Sequence, residues 1–223
     1  MTTKVPASMT SEAVTAAQVT TATSNAATAL STANAAQSTA NNAVTLTGDQ
    51  TIAGAKTFST QPVLPQKLTQ MTAVASTSGT SIDFTGIPSW AKRITVLFSG
   101  VSTSGTSPVQ LQFGTGGTPT YVTSGYASNA VVALATVAAT SSTTGIVLTT
   151  NCVASDLFYG SAVVNFVTGT SWSGTGLLTR SGSAGVNFGA GGVSLGAALT
   201  AVRITTVGGS DTFDAGTIDV YYE

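Results

Sequence analysis

The segment spanning residues 9–60 constrains the fold most. From Met9 to Val44 the chain is an almost uncharged tract of Ala, Thr, Ser and Asn, and it runs directly into the glycine-punctuated LTGDQTIAGAKTFST of residues 46–60. With Met9 as position a of a seven-residue repeat, the a positions are Met9, Ala16, Thr23, Leu30, Gln37 and Val44. The d positions are then Glu12, Val19, Ala26, Ala33 and Ala40. Eight of these eleven residues are apolar, a rhythm that favours a helical seam over an unpatterned tract. A helix over residues 9–44 would be about 54 Å long.

Such a helix is poorly supported by its own composition. Sixteen of its 36 residues are Thr, Ser or Asn, each costing about 0.5 kcal/mol of helix propensity relative to Ala. The total, roughly 8 kcal/mol per chain, is large beside the ~0.8 kcal/mol that burying one alanine methyl returns. The helix therefore needs partner chains, held in register by something stronger at one end, which raises the effective concentration of the rest. The competing reading is a disordered low-complexity linker. Twelve alanines and a single charge, Glu12, argue against it, because solvated linkers are richer in charge, Pro and Gly.

C-terminal to this tract, Gly48-Asp49 is a turn pair, and Gly48 and Gly54 supply permissive backbone at two bends. Ile52 and Phe58 are the apolar anchors here, placed to meet their copies around a symmetry axis. Pro62 and Pro65 then interrupt any ladder and space this collar from the remainder of the chain.

Only 7% of the chain is charged, with 7 Lys and Arg against 8 Asp and Glu, where ordinary domains carry about 25%. No basic cluster exists, so the footprint of a nucleic-acid binder is missing. Lys92-Arg93, the one basic pair, is expected to flank a strand. Histidine is absent and Cys152 is the sole cysteine. The commonest general base, the commonest metal ligand and any intrachain disulfide go with them. The N-terminus lacks the apolar core of a secretory signal. The apolar run 130–139 falls short of the roughly 20 residues that span a membrane. No cofactor, metal site or membrane insertion is expected, and the chain reads as soluble.

From residue 67 onward, strand-like runs alternate with Gly/Ser/Thr turns. Candidate strands are 71–76, 81–84, 93–98, 109–113, 130–138, 145–149, 158–167, 175–179, 185–188, 199–206 and 217–222. Arg93-Ile94-Thr95-Val96-Leu97-Phe98 and the run from Val202 to Val207 carry the β-branched content of sheet interiors. These strands predict an all-β sandwich or jelly roll.

Candidate chemistry is sparse. Asp211 and Asp214 in GGSDTFDAG sit three apart, but no third group accompanies them as catalysis or Ca²⁺ would need, so an Asx-type hairpin turn is expected. GTGG (114–117) and the GAGG region (189–192) lack a phosphate-loop pattern and read as turns. Serine and threonine nucleophiles have no histidine to activate them. Tyr121, Tyr126 and Trp172 lie in Gly/Ser/Thr-rich stretches, where aromatic faces at loop tips serve as platforms for sugar rings. Partial burial between strands or at a subunit seam is the alternative for these three. Trp90, after Ile87-Pro88, reads as core.

The collar segment resembles the TGxQTIxGxKTF stretch found repeatedly in tailed-bacteriophage fibre proteins. Gly48, Gln50, Thr51, Ile52, Gly54, Lys56, Thr57 and Phe58 all fall in place. Residues 82–107, 109–117 with 123–126, and 203–223 look like the C-terminal head of such fibres, closed by a terminal DTFDAG hairpin. Residues 131–193 carry no such likeness, and a variable binding face is expected there. The resemblance implies a homotrimer. Its parts would be a virion-docking segment (1–8), a coiled-coil shaft (9–44), a β collar and linker (45–66) and a head (67–223). Leu30, Ala33, Val44, Ile52 and Phe58 would line the trimer seam. The expected role is a non-enzymatic virion protein, a tail fibre that recognises a host surface glycan or protein and docks onto another virion protein through its N-terminus. With so short a docking segment, a head fibre or capsid decoration protein is the nearest alternative. A bacterial adhesin or a depolymerising tail spike stands further off.

Overall fold

A computed structural model describes residues 14–41, 54–55, 67–133, 137–150, 152–182 and 185–223. The chain divides into two compact units, Met1–Pro62 and Val63–Glu223. Among the described residues of the first lies the helix α1 (Ala16–Asn41), about 39 Å long at 1.5 Å per residue. Its entry is a reciprocal cap. The Gln18 N–H donates to Thr15 Oγ1 (3.3 Å), and the Thr15 N–H donates to Gln18 Oε1 (2.8 Å), the capping-box arrangement that satisfies two otherwise orphaned donors. All six threonines of α1 donate their hydroxyls to the carbonyl four residues back.

Leu30 and Ala33 lie on this helix with exposed side chains, and α1 contains no charged residue. Gly54 has φ of 77°, the left-handed bend that glycine permits. The other expected seam residues, Val44, Ile52 and Phe58, lie outside the described residues, as do segment 1–8 and the rest of the collar.

The second unit is antiparallel β. Its strands are β1 (Thr69–Gln70), β2 (Val74–Ala75), β3 (Ser81–Thr85), β4 (Arg93–Thr103), β5 (Val109–Thr115), β6 (Thr120–Tyr121) and β7 (Ala127–Ala133). They continue as β8 (Ala138–Ser142), β9 (Ile146–Val147), β10 (Phe158–Thr168), β11 (Ser171–Arg180), β12 (Gly185–Ser194), β13 (Leu199–Thr206) and β14 (Phe213–Tyr222). The larger sheet runs β1-β14-β4-β10-β11-β12-β7-β8, with β2 also on β14, and the smaller runs β3-β13-β5-β6, with β9 on β5.

Alternation decides which side of each strand goes in. In β4, Ile94, Val96 and Phe98 point inward and are buried; in β5, Leu111 and Phe113 do; in β13, Val202 and Ile204. Residues of both sheets join one hydrophobic core. The mainly β fold is as the sequence predicts. Lys92 and Arg93 stand at the start of β4 as expected, Arg93 paired with the Glu223 carboxylate and the Lys92 ammonium 3.9 Å over the Phe166 ring. Trp90 is half-buried and packs on Tyr222 and the core.

Three expectations are corrected. The run 130–138 is not one strand, because β7 and β8 form a pair in which Val132 faces Ala138. Asp211 and Asp214 do not sit in a hairpin, since β13 and β14 belong to different sheets and the segment between them crosses from one to the other. There Asp211 Oδ2 accepts from the Ser107 N–H at 2.8 Å, fixing the crossover to the β4–β5 connection. The GAGG region is not a turn either: it lies within β12. Gly189 points inward, where a β-carbon would meet the carbonyl oxygen of Val147 and, at 2.9 Å, the Cα of Leu148. Gly176 on β11 is similar, its missing methyl facing Leu148 Cδ2 at 2.7 Å. These glycines let β9 and Leu148 lie directly against the large sheet.

Replacing Gly189 by Ala should therefore cost about 3 kcal/mol through overpacking against main chain. Gly117→Ala, where nothing lies within 4 Å, should stay within about 0.5 kcal/mol of wild type. Denaturant unfolding of the two variants checks the contrast.

Candidate functional site

The two sheets present outer faces of opposite chemistry. On the large sheet, cross-strand register aligns Leu97, Ser161, Leu177, Phe188 and Val131 in one transverse row. The adjacent row reads Thr95, Val163, Thr175, Ala190 and Asn129. Leu177 is 51% exposed and Phe188 49%. The outward positions of β10, β11, β12 and β7 carry no charge. The rows enclose an open, mostly apolar concavity of about 520 Å³. It draws on residues 129–190, nearly the stretch from which a variable face is expected.

The small sheet faces outward with polar residues. Asp83, Arg203 and Gln112 form one row, and Ser81, Thr205 and Gln110 the adjacent one. Arg203 grips Asp83 with two bonds, Nε to Oδ1 and Nη2 to Oδ2, each 2.8 Å. The guanidinium carbon lies 3.8 Å from the centre of the Tyr121 ring. Gln110 and Gln112, although outward-facing on β5, are buried because the turn between β8 and β9 folds over them. Ser142 and Thr144 donate hydroxyls to Gln110 Oε1 at 3.0 and 3.2 Å, and Gln112 Nε2 donates to the Thr144 carbonyl at 2.9 Å.

The three aromatic candidates separate here. Tyr126 and Trp172 are buried, 3% and 5% exposed, so neither is a loop-tip platform. Trp172 points inward from β11 and packs on Phe113 and Phe166. Glycines at the next two inward positions of β11, Gly174 and Gly176, interrupt the alternation that would have marked it as core. The Tyr126 hydroxyl accepts the Phe113 N–H at 2.8 Å, which anchors the segment before β7 to β5. Tyr121 remains at the surface, beside the polar face. Burial first, and the Asp83 charge second, push its phenol up to about 12, with Arg203 pulling the other way.

Arg203, Gln110, Gln112 and Thr205 escape a search for catalytic or metal-binding types, since none is unusual alone. The alternation Val109-Gln110-Leu111-Gln112-Phe113 is the signal that one side of β5 stays polar. Among the described residues no three His, Cys, Asp or Glu side chains are grouped to hold a metal ion. Among the same residues no helix is long and apolar enough to cross a membrane. Comparison with family models, curated proteins and solved structures returns no match.

Burial pushes the Tyr126 phenol up to about 12 from 10.0, and the Phe113 hydrogen bond only partly offsets it. Stability from this residue is thus complete below pH ~10 and lost as pH rises toward 12, worth about 3 kcal/mol in all. Tyr126→Phe should cost about 1–2 kcal/mol at neutral pH by leaving the Phe113 N–H unpaired. It should also remove part of the alkaline loss, as read from unfolding curves between pH 7 and 11.5.

Proposed function

We propose that this chain is a structural fibre protein of a bacteriophage virion, most simply a tail fibre, acting as a homotrimer that recognises the host cell surface. The observation that carries the reading is the collar sequence of residues 46–60, set between an uncharged helix and a mainly β unit. In this reading the helix forms a three-stranded shaft, the collar clamps it, and a sandwich-like head displays the binding surface.

Two physical features support it. The α1 side chains are exposed, Val19 by 54% and Leu30 by 62%, and a helix so rich in threonine gains its stability from packing rather than propensity. The outer row from Leu97 to Val131 is an uncharged apolar strip of the kind subunits bury on assembly. Three linked heads would then raise weak single-site affinity into firm adhesion. Its partners are two further copies of itself, another virion protein at the N-terminal end, and a glycan or protein on the host.

Sedimentation equilibrium of the full-length protein should give about three times the 22.0 kDa chain mass, and a folded monomer would overturn the assembly. Purified protein should compete with phage adsorption to susceptible cells. Gold-labelled antibody should decorate the tail of intact particles; label over the shell would keep the fibre and reject the tail position.

A further inference from the structure

We propose that the groove on the outer face of the small sheet is a binding site for a neutral, hydroxyl-rich ligand, a pyranose unit of a surface glycan. This deepens the host-recognition reading and rests on it. The groove encloses about 340 Å³, within the roughly 300–1,000 Å³ of small-molecule clefts. Its walls and floor are polar: Ser81, Gln110, Gln112, Thr144, Arg203 and Thr205 all line it.

The floor is fixed before any ligand arrives. Gln110 accepts from Ser142 and Thr144 and donates to the Thr206 carbonyl at 3.4 Å, while Gln112 is pinned by the Thr144 carbonyl. Thr205 Oγ1 donates to the Thr80 carbonyl at 2.8 Å, which leaves its oxygen lone pairs free to accept. Polar groups held on strands lose little freedom on binding, so their hydrogen bonds convert efficiently into affinity. Amides and hydroxyls together supply both donors and acceptors, matching sugar hydroxyls, which need both.

Charge selects the ligand class. Among the described residues Arg203 is the one charged side chain lining the groove, and its charge is already matched by Asp83 through two parallel bonds. An anion entering here would find no uncompensated cation, because the Asp83 carboxylate already neutralises Arg203. The bidentate grip uses two of the five guanidinium hydrogens, so three remain as neutral-ligand donors. Tyr121 supports the guanidinium from beneath with its ring; that ring face is therefore taken, and the tyrosine positions Arg203 instead of stacking on a sugar.

The test uses full-length protein on an array of neutral hexose and N-acetylhexosamine oligosaccharides beside uronic-acid and phosphate-bearing ones. Gln112→Leu and Thr205→Val remove groove polarity at nearly constant volume, and melting curves confirm that both variants fold. Wild type is expected to bind neutral glycans, with each variant at least ~10-fold weaker, a loss of about 1.4 kcal/mol. Binding to anionic glycans alone, no glycan binding, or binding unchanged in both folded variants would overturn the site. Adsorption competition separates the two levels. Variants that keep glycan binding and still block adsorption reject the groove but leave host recognition standing; wild-type protein that blocks no adsorption rejects host recognition itself.

Discussion

The close approach of β9 to the inner side of β12, and of the following Leu148 to β11, organises much of the β unit. It exists because Gly176 and Gly189 carry no side chain where Leu148 and the Val147 carbonyl must pass. Two residues of β9 can then pair with β5, Val147 opposite Gln110 and Ile146 opposite Leu111. That pairing brings the Ser142–Thr144 segment against β5 and pins the two glutamines in place along the groove. Absent side chains on one sheet thus set the floor of a polar groove on the other. Buried amides with their partners assembled cost little, whereas the same amides left unmatched would each cost about 1–3 kcal/mol.

A second consequence is the division of labour between the outer faces. From β10 to β7 the large sheet's face is apolar, uncharged and concave; the small sheet's is polar, with its single ion pair internally matched. Elsewhere among the described residues, two more ion pairs tie the unit together, one of them between Arg93 and Glu223. Arg180 and Asp156 meet at 3.3 Å in the interior, next to the short segment that leads into β10. A chain this poor in charge uses its ions as fixed struts more than as a solvating coat.

The sequence makes the strand content legible wherever large apolar residues alternate, as in β4, β5 and β13. It shows only part of β11 and β12, residues 175–179 and 185–188, because there the inward places are held by glycines and by single residues such as Trp172 and Leu178. The same blindness leaves Tyr126 and Trp172 open between loop tip and burial in a reading of residue types, whereas both complete the core. Asp211 misleads differently: its turn-like neighbours are real, but the strand before and the strand after pair with different sheets, a long-range fact with no local signature. Of the groove, Tyr121 is legible as an aromatic in a polar loop, while the glutamines become meaningful only once the β8–β9 turn is seen to cover them.

The threonines of α1 alter what its surface offers. With every hydroxyl turned back onto the helix's own carbonyls, each side chain shows a neighbour its methyl group first. A stretch that looks hydrophilic on paper thus behaves as a lightly greased rod. Were copies to pack through such a surface, their cohesion would owe nothing to ion pairing, so it should hold in fresh water and brine alike and tighten in salts that strengthen apolar contacts.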